Sequence, residues 1–107
     1  MVRHVIRQDI DINGYWTITI LYNVWLGKRD TGFTHTNFDK KRSIVGISLT
    51  TSKEQFFNTL SHEIKHVQSH ICMYYNVAED SEAAAYLIGY IIQKMYKVFK
   101  DLIIKNV

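Results

Sequence analysis

Apolar residues recur with two different periods along this chain, and the period changes near residue 50. From Tyr15 to Trp25 the chain alternates, with Trp16, Ile18, Ile20, Tyr22 and Val24 on one side and Tyr15, Thr17, Thr19, Leu21 and Asn23 on the other. A period of two is that of a half-buried strand. Ahead of it, His4 to Ile12 carries Ile10 and Ile12 in alternation, and Asn13-Gly14 between the two runs is a strong hairpin signal. Gly27 to Lys41 is polar and reads as a loop. Ser43 to Thr50 reads as a further strand with Val45, Ile47 and Leu49 facing one way.

Beyond residue 50 the spacing becomes three and four. Phe56, Phe57, Leu60, Ile64, Val67 and Ile71 predict a helix from about Ser52 to Tyr75, with Thr51 as N-cap and Glu54 completing a capping box. Asn76-Val77-Ala78 turns the chain. Asp80 or Ser81 caps a second helix, from Ser81 to about Lys105, whose stripe is Leu87, Ile88, Ile91, Met95, Val98, Phe99, Leu102 and Ile103. The expected fold is α+β, a small antiparallel sheet of about three strands packed on two helices. It forms one domain over 1–107, with 1–50 mainly strands and loops, 51–76 the first helix and 80–105 the second. The second helix is long for such a domain, so Phe99, Leu102 and Ile103 offer a homodimer contact.

Composition narrows the classes. A chain of 107 residues with 47% hydrophobic content makes one domain with one modest core. The formal charge of +3 is mild. Lys28-Arg29 and Lys40-Lys41-Arg42 read as solubilising loop charge rather than a nucleic-acid patch, because no nucleic-acid motif accompanies them. Cys72 is the single cysteine, which excludes an intrachain disulfide and suits a small buried hydrophobe. Met1 to Ile10 lacks the apolar core of a signal peptide, and the longest apolar run, Ala83 to Ile92, is too short to span a membrane. A cytoplasmic protein is expected.

The chemistry lies in His62-Glu63-Ile64-Lys65-His66, an H-E-x-x-H run inside the first predicted helix. Residues four apart lie about 40° apart around a helix, so both imidazoles leave one face and can hold one metal ion. Glu63 is offset by about 100°, beside the metal's open position, where a general base is useful. A zinc site needs a third protein ligand. Glu82, at the start of the second helix, is the best placed, with Glu79 and Asp80 as the other acids in reach. His70 continues the series, but eight residues rise about 12 Å, too far for His62 and His70 to share one ion. It reads instead as a rim residue, a polar helix position or a substrate contact.

With these residues in place the chain resembles the gluzincin side of the zincin metallopeptidases, whose third ligand is a Glu in E-x-x-A on a following helix. Leu60-Ser61-His62-Glu63-Ile64-Lys65-His66-Val67, followed by Glu82-Ala83-Ala84-Ala85-Tyr86-Leu87-Ile88-Gly89-Tyr90, looks more specifically like small zincin-like proteins of phages, prophages and their bacterial hosts. The similarity covers about positions 45–93. It implies a zinc ion (Zn2+) held by His62, His66 and Glu82, with Glu63 as general base acting on a peptide or protein substrate. Tyr86, one turn past Glu82, is the first choice for steadying the oxyanion, ahead of Tyr90, His70 and His35. The chain lacks the second subdomain of larger gluzincins, which leaves a non-catalytic zinc-binding accessory protein as the alternative function. In zincins generally an edge strand near the metal helix pairs with extended substrate; Ser43 to Ser48 is a candidate for it, but an ordinary structural strand is the favoured reading because nothing local marks it as an edge.

Overall fold

The computed structural model describes residues 5–24, 26, 31–48 and 52–106; for 97–99 and 101–106 the backbone alone is described. The fold is α+β, with four strands followed by two helices: β1 (Ile6–Ile12), β2 (Trp16–Tyr22), β3 (Gly32–Asn37), β4 (Arg42–Ile47), α1 (Lys53–Tyr75) and α2 (Glu82–Asn106). The strands form one sheet in the order β1-β2-β4-β3.

The first hairpin follows its turn residues. Asn13 and Gly14 adopt φ of 52° and 79°, and Tyr15 N–H donates to the Ile12 carbonyl at 3.1 Å. Left-handed φ at both central positions is what a type I′ turn requires and what Asn-Gly supplies at little cost. β1 and β2 then pair antiparallel from Ile12↔Trp16 to Ile6↔Tyr22. Ile10, Ile12, Trp16, Ile18, Ile20 and Tyr22 turn to the helices and are buried.

The second half of the sheet corrects the sequence expectation in two respects. Gly32–Asn37 is a strand, not loop, and it pairs antiparallel with β4. β4 lies between β3 and β2 and runs parallel to β2, so the sheet has four strands and is mixed rather than antiparallel. β3 escapes a hydrophobic reading because it has one neighbouring strand and no fully buried residue. Ser43 to Ser48 is correspondingly not the sheet edge: β3 is. Val45 and Ile47 are buried as expected, while Leu49 and Thr50 lie outside the described residues.

Gly46 shows how the β3–β4 pair closes. A Cβ there would sit 2.0 Å from Phe33 Cε1, so the Phe33 ring lies flat over the glycine backbone. At Gly32 a Cβ would come within 2.8 Å of Thr59 Cγ2 and 3.2 Å of Glu63 Cγ. The bare backbone thereby lets the start of β3 approach α1 closely.

α1 begins one residue later than its expected cap. Ser52 is the N-cap, with its side chain accepting from Gln55 N–H at 3.1 Å. The helix ends at Asn76, whose φ of 57° and N–H bonds to Cys72 and Met73 carbonyls reverse the chain. Ser81 caps α2, its hydroxyl oxygen accepting from Ala84 N–H. Phe56, Leu60, Ile64, Val67 and Ile71 of α1 join Ile91 and Met95 of α2 and the inward sheet residues in one core. No described helix is long and apolar enough to cross a membrane.

Candidate metal centre

The helical wheel of α1 explains where each site residue stands. At about 100° per residue, Thr59, Glu63 and His70 share one flank of the helix, and Gln68, Ile71 and Cys72 lie on another. The first flank meets β3: Thr34 Oγ1 donates to Glu63 Oε1 at 2.7 Å, and Thr36 Oγ1 lies 2.7 Å from His70 Nδ1. The second meets α2: Gln68 Nε2 donates to the Ala84 carbonyl at 3.1 Å. His62 and His66 point between these flanks, beyond the β3 edge, and both are exposed.

The two imidazoles come together as the i, i+4 spacing demands. Their Nε2 atoms are 3.3 Å apart and their ring centroids 5.0 Å apart. That is hydrogen-bonding distance for a pair in which one Nε2 carries a proton and the other does not. The same spacing suits a zinc tetrahedron, because two Zn–N bonds of about 2.0–2.1 Å set their nitrogens about 3.3 Å apart. Glu63, next to His62 in the chain, has 6% of its surface exposed, and its carboxylate is held by the Thr34 hydroxyl.

Glu82 and Tyr86 stand apart from this pair. Among the described residues, no three His, Cys, Asp or Glu side chains gather into a group able to hold one ion. The reason is rotational. Ala84 is the buried contact of α2 on α1, and Glu82, two residues earlier, is about 200° around the helix from it. Glu82 therefore faces outward, into a shallow concavity that it lines with Ala85, Tyr86, Gly89, Tyr90 and Gln93. Tyr86 is 75% exposed there, facing neither the core nor the histidines through any described hydrogen bond. Tyr90 donates its hydroxyl proton to Asn13 Oδ1 at the β1–β2 turn.

Of the acids between the helices, Glu79 is the one that returns to α1. Ser69 Oγ donates to its Oε2 at 3.0 Å, and Lys65 Nζ lies 3.4 Å away. The Ser69 hydroxyl first, and then Lys65, hold the Glu79 pKa below the ordinary carboxylate value. Cys72 is buried as expected, and burial pushes its thiol pKa up, which suits a packing residue. It lines an apolar cavity of about 440 Å³ with Tyr15, Tyr75 and Leu87.

His70 is half-buried and bonded to the sheet, as a polar helix position would be. It ends a hydrogen-bonded chain through the sheet, in which Trp16 Nε1–H donates to Ser43 Oγ at 3.1 Å, Ser43 Oγ lies 2.7 Å from Thr36 Oγ1, and Thr36 meets His70 Nδ1. The indole has only a donor to give, so Ser43 accepts from it, and the spacing suits a run in which Ser43 donates to Thr36 and Thr36 to Nδ1. That direction uses every proton and leaves His70 neutral with its proton on Nε2. Burial first, and the charge of His66 second, lower the His70 pKa, against an opposing pull from Glu79. Thr34 and Thr36 are the residues the sequence reading missed; their signal is the period-two Thr-His-Thr within Phe33 to Asn37.

No family model, curated protein or solved structure matches the chain.

Proposed function

We propose that the protein is a zinc-dependent metallopeptidase in which His62 and His66 bind the ion and Glu63 is the general base. The observation that carries this reading is the 3.3 Å separation of the two Nε2 atoms, on the same helix as a carboxylate that a strand holds in place. When bound, zinc supplies Lewis acidity and lowers the pKa of a water in its open position to near 7. Glu63 accepts the proton of the attacking water and delivers it to the leaving amine. Thr34 orients that carboxylate by occupying one oxygen, which leaves the other for the proton. An extended peptide is the substrate that suits the surroundings, because the outer edge of β3, unpaired among the described residues, belongs to the strand that holds Glu63 and offers main-chain pairing. Glu82 completes the ligand set only if the first turn of α2 rotates toward α1; the resemblance favours it, and Glu79 is the nearer acid to that helix.

A second reading, a zinc-binding accessory protein without proteolytic activity, draws on the burial of Glu63 and the outward aim of Glu82. One experiment separates the two. Tag-free protein is loaded with zinc and its metal content measured by elemental mass spectrometry, for wild type, His62→Ala, Glu63→Gln, Glu79→Ala and Glu82→Ala. About one zinc per chain, lost in His62→Ala and kept in Glu63→Gln, is expected of the site. Peptide-library cleavage by wild type but not by Glu63→Gln establishes the peptidase; zinc binding with no cleavage by either supports the accessory protein. Absence of stoichiometric zinc after loading refutes both.

A further inference from the structure

The sheet face turned away from the helices carries a second, chemically different site. Its residues form three rows across the strands: Asp11, Thr17, Arg42 and Asn37; Asp9, Thr19, Ile44 and His35; and Arg7, Leu21, Gly46 and Phe33. Charge divides along these rows. The acids are on β1, where Asp9 accepts from Thr19 Oγ1 at 2.7 Å and pairs with Arg7 at 3.4 Å, and Asp11 accepts from Gly14 N–H. The cations gather two strands away. Thr17, His35, Asn37, Lys40, Arg42 and Ile44 line a concavity of about 500 Å³ there.

The basic run Lys40-Lys41-Arg42 is split by its backbone. Lys41 has φ of 51° and sends its ammonium over the Tyr74 ring, 5.7 Å from the centroid, on the helix side. Lys40 and Arg42 are left on the open face. Among the described residues no carboxylate lies within ion-pair distance of either. Asp39, in the same turn, does not line the concavity. Two cations, an imidazole, a threonine hydroxyl and an asparagine amide around an apolar floor make a donor-rich surface; Asp9, two strands from Arg42 on the same face, feels its charge without pairing with it.

We propose that this concavity binds a phosphate group, with Arg42 and Lys40 as its principal contacts and Asn37, Thr17 and His35 as supporting donors. Arg42 suits the task because its planar fork can bond two phosphate oxygens at once, and its strand position fixes where the fork starts. The site lies across the sheet from His62 and His66 and does not depend on metal. Either a small phosphorylated molecule or a nucleic-acid backbone could present the phosphate, and the test distinguishes them.

The protein is titrated with inorganic phosphate at constant ionic strength, with chloride as the control, and amide shifts are followed by NMR. In parallel, a short labelled single-stranded oligothymidine is titrated and its anisotropy read. Wild type is compared with Lys40→Gln and Arg42→Gln. The Lys40 variant alters only an exposed turn residue, so it keeps the test valid if the Arg42 variant fails to fold. Saturable shifts confined to Thr17, Asn37 and Arg42 with phosphate, weakened about tenfold by either substitution, support the proposal. Binding of the oligonucleotide at the same residues, with the same losses, supports it and identifies a strand backbone as the source. Shifts that are equal for chloride and phosphate, or unaffected by both substitutions, overturn it, as does no saturable response to either probe.

Discussion

The two hairpins of the sheet both bury apolar residues against the helices, the second through Val45 and Ile47 of β4, but they differ at β3. The first, β1–β2, turns Ile10, Ile12, Trp16, Ile18, Ile20 and Tyr22 inward and is held by burial of apolar surface. In the second, the inward residues of β3 are Thr34 and Thr36, and they are bonded to Glu63 and His70 of α1. The first hairpin anchors the helix pair; the second adds to its apolar contacts a strand that orients individual polar side chains on it. A strand that served both purposes would need apolar residues where the hydroxyls now stand, and the polar flank of α1 would lose its partners.

Ile18→Ala strikes the anchoring hairpin where Ile18 is fully buried, and it should have the largest effect, about 2–5 kcal/mol lost in a denaturant titration. A loss under about 0.5 kcal/mol would show that the first hairpin is not the anchor. Gly46→Ala comes next. It displaces the Phe33 ring from the β4 backbone and should destabilise by about 1–3 kcal/mol, while Phe33→Ala should make the added methyl tolerable.

Thr34→Val keeps the shape of the orienting strand and removes its hydroxyl. The expected loss is about 1 kcal/mol of stability, and Thr34→Ser should recover most of it. If the peptidase reading holds, the Val variant also lowers kcat with zinc content unchanged, because only the base is disturbed. The smallest effect concerns pH. His70 has its pKa lowered from 6.5, so the unfolded chain binds its proton more readily than the folded protein does. This group's contribution is complete above that value and declines as pH falls toward the lowered folded pKa. Denaturation midpoints at about pH 7.5 and about pH 5.5 should therefore differ more in wild type than in His70→Gln, which cannot titrate.

What the sequence disclosed tracks how each segment is stabilised. β2 and α1 are read correctly because apolar burial writes its period directly into residue spacing, as in Trp16 to Tyr22 and Phe56 to Ile71. β3 is invisible to that reading because hydroxyl bonds, not apolar burial, fix it, and Thr and His recur equally in loops. The parallel pairing of β2 with β4 is likewise unreadable locally, since it depends on β3 taking the outer place. At the candidate metal centre, the His62–His66 pair follows from helix geometry alone. The direction of Glu82 does not, because it depends on which side of α2 docks, and that is set by Ala84 against Gln68. The C-terminal dimer contact through Phe99, Leu102 and Ile103 falls on side chains outside the described residues.

The line of bonds from Trp16 to His70 gives the protein an optical gauge of its own helix-to-strand junction. When the imidazole takes up a proton, Nδ1 turns from acceptor to donor, and the Thr36 oxygen then accepts from His70, so the Thr36 proton loses its acceptor and must turn away. The indole at the far end then sits in an altered field, so its emission should change with the charge on His70, about the width of the sheet away. Replacing Trp25, the other tryptophan, with Phe would leave Trp16 as the only indole and make that signal readable without any added label.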